Sequence, residues 1–292
     1  DGVSNHLPGD SGGTALSVKL QQGGEWKDIK QADPEAPTES ILFEDNGKGY
    51  DAGLLSVLFS SKSALGLNVG QHGEGLKLIA AAALREGMPI QFASRNWRAT
   101  PYAKGEIIGG NTLQRLCFNV VENGTHRNGS QTLFSTPTQA LVKEVCQLPA
   151  KVLLLNNTYR ELSQGEKSPL SQFSYLFSKI QGETTYPSRI IELEKDAHPG
   201  LFVKGIRVSD KHALWSYDLG IKGISPDRAF IDPEVVKDEV RELLKSCKNE
   251  EVVSRILQVA HLSPDAGYLE FQALAPKVEM SDEMHPFRKG II

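Results

Sequence analysis

The chain has 292 residues and a mass of 32.0 kDa, enough for two domains of ordinary size or one large domain. Its 39% hydrophobic and 23% charged residues exclude collagen-like, wholly disordered and disulfide-scaffold proteins. It contains no apolar run long enough for a membrane span, three scattered cysteines, and a formal net charge of -4. We therefore expect a cytoplasmic protein with no membrane partner, and the total charge gives no sign of a polyanion-binding surface.

The first half of the chain predicts alternating strands and helices. Strands are predicted where apolar and polar residues alternate or where turn residues flank a short apolar run, at 14–20, 40–44, 89–93, 113–121, 131–135 and 152–155. Residues 123–129 are predicted to be a hairpin connection. Helices are predicted where apolar residues recur at helical spacing, at 52–59, 76–85 and 138–146. The helices at 52 and at 76 both follow a glycine-rich turn.

The second half predicts fewer elements. After a polar stretch at 161–171, strands are expected at 201–208 and 213–217. Asp232-Pro233-Glu234 has the residue types of an N-cap, a first helical position and a first turn, so a helix is predicted over 233–245. A second helix is predicted over 250–260, and the tail from Leu262 has no clear period. We expect two domains, at 1–150 and 151–292.

Two motifs have familiar counterparts that do not fit the rest of the chain. Gly9-Asp10-Ser11-Gly12-Gly13 looks like the nucleophile loop of trypsin-type proteases, but the chain is too short upstream to hold the preceding His and Asp. Gly47, Gly49 and Gly53 follow a predicted strand, as in a dinucleotide-binding turn, but give GxGxxxG instead of GxGxxG. Plain structural turns that begin two helices remain the alternative.

The two glycine loops together are more specific. Asp45-Asn46-Gly47-Lys48-Gly49 gives DxGxG, and Gly70-Gln71-His72-Gly73-Glu74-Gly75 gives GxxGxG at the start of a predicted helix. In this order, with Phe59-Ser60-Ser61-Lys62 between them, they resemble the GHKL superfamily of Bergerat-fold ATPases. The resemblance is closest to the MORC, MutL and heat-shock-chaperone branches. It implies a Bergerat-type α/β sandwich, a mixed sheet with helices on one face, followed by a second, smaller α/β domain.

The resemblance also implies the cofactors, ATP and Mg²⁺, and the residues that bind them. Asp45 would accept a hydrogen bond from the adenine amine, which is chemically sound because a carboxylate makes strong charge-assisted bonds. Glycines would let the backbone pass close to the base and expose N–H groups to phosphate at a helix N-terminus. The nucleotide-binding residues implied in this way are Asp45, Asn46, Gly47, Gly49, Lys62, Gly70, Gly73, Glu74, Gly75, Leu76 and Lys77.

Three further roles follow from the same resemblance. Asp1 and Asn5 have the spacing of the family's general base and Mg²⁺ ligand, although Asp replaces the usual Glu. Lys204 is expected to be the second domain's basic residue that reaches the γ-phosphate, and Arg207, Lys222 and Arg228 are the alternatives. Near the end of the first half, Gly129-Ser130-Gln131-Thr132 stands where the family has a Gly-Thr pair, so the hydroxyl of Ser130 or Thr132 would bond the Asp45 carboxylate. A plain hairpin turn is the alternative there.

The expected function is slow, Mg²⁺-dependent ATP hydrolysis, in which lid closure over nucleotide promotes pairing into a homodimer that acts on a macromolecular client, DNA, RNA or protein. The alternative is an interaction module that senses nucleotide without hydrolysing it. Arg95, Trp97, Arg98 and Tyr102 suit stacking on nucleic acid bases, and an exposed strand end explains them equally well.

Overall fold

A computed structural model describes residues 15–56, 75–156, 158–165, 186–193, 198–221, 232–263 and 266–275. Within these residues the chain forms ten strands and six α-helices, which confirms the expected α/β class. The strands are β1 (Leu16–Gln22), β2 (Glu25–Asp28), β3 (Ser40–Asp45), β4 (Ile90–Ile108), β5 (Asn111–Ser135), β6 (Arg160–Gln164), β7 (Arg189–Glu192), β8 (Gly200–Val203), β9 (Ile206–Asp210) and β10 (Ser216–Leu219). The helices are α1 (Gly75–Arg85), α2 (Gln139–Cys146), α3 (Leu148–Lys151), α4 (Pro233–Ser246), α5 (Glu250–Leu262) and α6 (Leu269–Leu274).

The first sheet has the strand order β2-β1-β3-β5-β4, and all its described pairs are antiparallel, whereas a mixed sheet was expected. Hairpins join β1 to β2 and β4 to β5, and antiparallel pairing needs only such short connections. Because side chains alternate along each strand, the register places apolar residues of four strands on one face. These buried residues are Val18, Leu20, Ile41, Phe43, Ile90, Phe92 and Phe134.

Helices α1 and α2 cover this apolar face. Ala80 and Ala83 of α1 and Val142 and Val145 of α2 are buried in the same core cluster as the strand residues. The small side chains of α1 allow the helix to lie close to the sheet. The first half is therefore a layer of helices on one face of a sheet. Helix α2 begins as the sequence predicts, since the Thr138 hydroxyl accepts a hydrogen bond from the Leu141 N–H.

The hairpin predicted at 123–129 is wrong. Those residues lie inside β5, and the chain reverses instead at Gly109-Gly110, where φ is +58° and +82°. Positive φ at both central residues is what a tight two-residue hairpin turn requires, and glycine adopts it without steric cost. The strand predicted at 89–93 therefore continues to Ile108. An irregularity in the pairing near Arg95 and Arg127 absorbs the turn-like residues before Gly129.

The second sheet has the order β6-β7-β10-β8-β9 and is mixed, because β8 and β10 run parallel. Its core is separate from the first and includes Tyr217, Leu219, Val240 and Leu243. The strand expected over 201–208 is two strands, since Lys204 and Gly205 form a turn with φ of +50° and +79°. The polar stretch after residue 160 contains β6, and a short helix, α6, lies in the tail; neither was predicted.

A short segment connects the two sheets. Residues Leu153–Leu155 form a 3₁₀ turn, so the strand expected at 152–155 is wrong. Val152 forms an isolated antiparallel bridge with Ile206, and the Leu153 N–H donates to the Gly205 carbonyl at 2.8 Å. Both predicted C-terminal helices are present, and Asp232 caps α4 through the Glu234 N–H. Within the described residues, none of the helices has the length and apolar character needed to cross a membrane.

Candidate functional site

Polar side chains lie in a row at one end of the helix-covered face of the first sheet. The register places Asp45 opposite Leu16 and Ser94 opposite Ser130, and a hydrogen bond joins the Ser130 and Asp45 side chains. The next row toward the core is Val18, Phe43, Thr132 and Phe92, of which only Thr132 is polar. The apolar face therefore changes to a carboxylate and two hydroxyls at one end, directly beside the DxGxG loop.

Two protein groups hold the Asp45 carboxylate. The Ser130 hydroxyl donates to Oδ2, and the Gly47 N–H donates to Oδ1 at 2.9 Å. Of the two hydroxyls weighed from the sequence, Ser130 thus makes this bond. A carboxylate accepts up to about four hydrogen bonds, so several donors can hold it at once. The arrangement fixes the orientation of an acceptor-only group at the edge of a buried layer.

Two glycines in this site are required by close backbone approach. A Cβ on Gly129 would lie 1.8 Å from the Asp45 carbonyl oxygen, and a Cβ on Gly49 would lie 2.5 Å from Ser94 Oγ. Both residues also have positive φ, +79° and +66°. The sequence explained Gly49 by its approach to a nucleotide, but contacts within the protein already require a glycine at this position. Gly47 contributes its N–H, which donates to the Asp45 carboxylate.

Ser94 and Trp97 of β4 form hydrogen bonds with the backbone of Tyr50, the residue that follows the DxGxG loop. Ser94 Oγ accepts from the Tyr50 N–H and donates to the Gly129 carbonyl, both at 2.9 Å, and Ser94 is fully buried. The Trp97 indole N–H donates to the Tyr50 carbonyl at 2.8 Å, and the two rings meet edge to face at 5.2 Å. Burial, together with the nearby Asp45 carboxylate, raises the pKa of Tyr50, so its phenol remains protonated beside that carboxylate.

Helix α1, which the second glycine loop begins, lies next to the segment that follows the first loop. Lys77 Nζ donates to the Leu54 carbonyl at 3.2 Å, and Leu54 belongs to the 3₁₀ turn Ala52–Leu55. Gly75 is the first residue of α1, and Leu76 packs against the core of the first sheet. The segments that follow the two glycine motifs are therefore in contact, through the Lys77 side chain.

Three other predicted site residues, Asn46, Thr132 and Lys204, lie in the described part of the chain. Asn46 is exposed, and its Oδ1 accepts from the Ala15 N–H at 2.7 Å, so its side chain ties the loop to the start of β1. Thr132 is 2% exposed and lies beneath the polar row. Lys204 lies in the turn between β8 and β9 of the second sheet, where it is 7% exposed and its N–H donates to the Leu219 carbonyl. Its proposed contact with phosphate stays a prediction.

Six of the predicted residues lie outside the described part of the chain: Asp1, Asn5, Lys62, Gly70, Gly73 and Glu74. The roles of general base, Mg²⁺ ligand, lid lysine and most of the phosphate loop therefore stay predictions. In the ranges that the structure does describe, no three His, Cys, Asp or Glu side chains form a group suited to a metal ion. Mg²⁺ bound through one amide oxygen, phosphate oxygens and waters needs no such group.

A cavity of about 620 Å³ lies elsewhere on the same helical layer, and Asp45 does not line it. Its wall includes Ile79 of α1, Leu141 of α2 and Ile206 of β9. It is set apart from the polar row by Phe43 and Phe134, which line its floor. We therefore place the candidate nucleotide site at the polar row and not in this cavity.

Ser94 is the site residue that the sequence analysis missed. It stands in phase with the buried residues Ile90 and Phe92 of a predicted strand, and a serine at a core-facing position is an unusual placement that marks a specific hydrogen bond. The prediction ended that strand at Ala93, one residue too early to include it.

No protein-family model matches the chain, and no curated protein matches it at a significant level. The function proposed below therefore rests on the short motifs and on the geometry of the site.

Proposed function

We propose that the chain is a Mg²⁺-dependent ATP-binding protein of the GHKL type, with a Bergerat-type nucleotide domain and slow ATPase activity. The observation that supports it best is the Asp45 carboxylate at the end of the helix-covered face, held by the Ser130 hydroxyl and the Gly47 N–H. In the GHKL resemblance this aspartate accepts the adenine amine. A charge-assisted bond of this kind is worth about 1.5–3 kcal/mol.

The residues around Asp45 fit an adenine. The acceptor lies at the edge of the layer between sheet and helices, beside the buried row of Phe43, Thr132 and Phe92. Apolar surroundings with a few fixed polar groups are typical of sites that bind a flat heterocycle. Glycines at 47 and 49 keep the entrance to this layer free of bulky side chains.

The triphosphate would lie toward the N-terminus of α1. Backbone N–H groups there carry partial positive charge, and Lys77 is in the first turn of the helix. By resemblance, Gly70, Gly73 and Gly75 would bind the phosphates, with Lys62 from the lid and Lys204 from the second sheet as further cations. Mg²⁺, held through Asn5, would neutralise phosphate charge, and Asp1 would accept a proton from the attacking water.

The same resemblance proposes how nucleotide binding acts on a client. Closure of the lid over ATP would promote association of two protomers, and hydrolysis would reverse it. Val152 and Leu153, bonded to the β9 strand and the turn before it, connect the nucleotide half to the second sheet and give such a change a route between them.

Phosphate release from Mg-ATP tests the activity. The full chain should release phosphate steadily, and Asp1→Ala should abolish release while Mg-ATP binding is retained. Asp10→Ala, a carboxylate in the same N-terminal segment, is the matched control and should behave as the wild type. Tight binding without release in the wild type would overturn the ATPase part and favour a nucleotide-sensing module. Absence of Mg-ATP binding would overturn the whole proposal.

A further inference from the structure

Strands β4 and β5 continue well beyond the sheet to which they belong. The pairing of β5 with β3 ends at Gln131, whereas its pairing with β4 continues from Trp97–Glu122 to Ile108–Asn111, a run of 12 residue pairs. At about 3.4 Å per residue this ribbon is about 40 Å long. We call residues 97–122 the arm. In the described structure, each strand of the arm pairs only with the other.

The base of the arm is anchored and its tip is exposed. Trp97 and Ala99 are buried, and Phe118 contacts Phe92 of the core at 6.3 Å between ring centroids. Toward the tip, residues 102–107 and 111–115 are all exposed, with Ile107 at 77% and Leu113 at 51%. A two-stranded ribbon without a third strand is marginally stable in water. An anchored ribbon of this length therefore suits a surface that is covered when a partner binds.

The arm and the residues beside its base carry an excess of basic side chains in an acidic protein. Residues 95–127 contain five Arg or Lys and two Glu, for a net charge of +3, whereas the whole chain has a net charge of -4. The arm itself contains three of these cations and both Glu, for a net charge of +1. The total charge, from which no polyanion-binding surface was expected, thus conceals a local excess of the opposite sign. A local excess of positive charge attracts a polyanion such as nucleic acid.

The basic side chains are also concentrated on one face of the ribbon. Alternation places Arg98, Tyr102 and Lys104 on the same face of β4, together with one acid, Glu106, and Lys104 lies directly opposite Arg115 of β5. Like charges in directly opposed positions destabilise a strand pair. The ion pair of Arg115 with Glu106 is long, at 3.6 Å, and exposed, so it offsets little of this repulsion. An anionic partner would relieve it.

We propose that the arm binds double-stranded DNA, with Arg98, Lys104 and Arg115 contacting the phosphate backbone. The major groove of B-form DNA admits a two-stranded β-ribbon, and the exposed Tyr102 lies among the three cations to contact the groove. The deep, narrow major groove of duplex RNA does not admit such a ribbon. Apolar residues of the tip suit contacts with thymine methyl groups.

The base of the arm is also joined to the candidate nucleotide loop. Arg95 Nη1 forms an ion pair with Asp51 at 2.5 Å, and the Trp97 indole N–H donates to the Tyr50 carbonyl.

DNA binding by the arm does not depend on the proposed nucleotide site, so it is tested without ATP. A loss of DNA binding is then distinguishable from a failure to bind nucleotide.

Fluorescence anisotropy with a labelled 20-base-pair DNA duplex measures the binding by the full chain. Lys104→Glu/Arg115→Glu should weaken binding by more than about tenfold at about 0.1 M salt and reduce the salt dependence of log K by about 2. The matched control, Lys30→Glu/Lys245→Glu, changes the net charge equally, on exposed residues outside the arm, and should change affinity less than about threefold. Circular dichroism checks that each variant is folded.

A variant with a shortened arm keeps the test decisive if the double variant does not fold. Tyr102 and Cys117 are directly opposed, so an Asn-Gly turn in place of residues 103–116 closes the shortened hairpin, removes Lys104 and Arg115 and keeps the buried base of the arm. This variant should lose DNA binding. Wild-type affinity in either arm variant, or equal losses in arm and control variants, would overturn the proposal. A wild-type dimer that becomes monomeric when the arm is shortened, with no DNA binding by either, would also overturn it and identify a second copy as the partner.

Discussion

A single hydroxyl on β5 holds the carboxylate on which the proposed site depends. Ser130 is 3% exposed and donates to Asp45 Oδ2. Hydrogen bonds to ionised groups contribute about 1.5–3 kcal/mol, more than bonds between neutral groups. In the proposed site, Ser130 would therefore act on nucleotide affinity by orienting Asp45.

Ser130→Ala should weaken Mg-ATP binding about tenfold, because the carboxylate loses the donor that orients it. Ser130→Thr keeps the hydroxyl and should keep most of the affinity. Ser135→Ala, on the same strand but outside the polar row, is the control. Titration calorimetry measures all four proteins, and equal affinity in Ser130→Ala and wild type would contradict the role assigned to Ser130.

Glu270 of α6 is a buried carboxylate in the second core. Its Oε1 accepts from the N–H groups of Leu214 and Trp215 and from the Tyr217 hydroxyl at 2.7 Å. Burial raises the pKa of Glu270 despite these bonds. Its contribution to stability is therefore complete below the pKa of the unfolded chain, about 4.3, and is lost as pH rises through the higher pKa of the folded protein.

Glu270→Gln should remove this pH dependence. The free energy of unfolding of the variant relative to wild type should therefore rise as pH increases from about 4 to about 7, because only the wild type must ionise a buried group. Urea unfolding across this range measures the difference. Glu242→Gln, an exposed carboxylate on α4, gives the reference behaviour. A difference between Glu270→Gln and wild type that is independent of pH would contradict the prediction.

Among the elements, the end of β3 lies very close to β5, at Gly129. Gly129 passes so close to Asp45 that an added Cβ would lie 1.8 Å from its carbonyl oxygen. Gly24, in the turn between β1 and β2, has the same φ of +79° but has no atom within 4 Å of its added Cβ. The two glycines therefore separate the cost of positive φ from the cost of a clash.

Gly24→Ala should lower the free energy of unfolding by about 1 kcal/mol, the usual cost of a left-handed conformation. Gly129→Ala should lower it by about 1–3 kcal/mol more, because the strands must also move apart. Urea unfolding gives both values. Equal losses in the two variants would show that β3 and β5 do not approach as closely as described.

The elements that the sequence predicted correctly are those with local signals. Helix α1 follows glycines and has helical apolar spacing, and Asp232 and Thr138 are caps that act within one turn. The hairpin reversal was misplaced because Asn123–Gly129 and Gly109-Gly110 both have turn composition, and the long-range pairing of β4 with β5 decides between them. Local composition carries no information about that pairing.

The same limit applies to the site. The two glycine motifs pointed to Asp45 and Gly49, and the nearby hydroxyls to Ser130, because residue types and order are visible in the chain. Ser94 joins the site through hydrogen bonds across more than thirty positions of sequence, to Gly129 and to Tyr50. Such contacts depend on strand register, which single-sequence patterns specify only weakly.

At the scale of the whole molecule, two cores meet through a narrow connection. The segment at Val152–Leu153 is bonded to Gly205 and Ile206, and Lys204 stands next to them in the same turn. A change at the nucleotide layer that shifts α2 and α3 would therefore reach this turn through a few hydrogen bonds. The second sheet is joined to the nucleotide half through Val152, and the proposed DNA-binding arm is joined to the residue after the DxGxG loop through Trp97.

The proposed function depends on a hydrogen bond from adenine to Asp45, and calorimetric titration of Mg-ATP into Asp45→Asn measures its contribution. Asparagine keeps an oxygen for the Gly47 N–H, so the loop should stay folded, which urea unfolding checks; Glu44→Gln, on the other face of β3, is the control. We predict that the wild type and Glu44→Gln bind Mg-ATP and that Asp45→Asn loses at least about tenfold in affinity. Unchanged affinity in a folded Asp45→Asn protein would contradict the account.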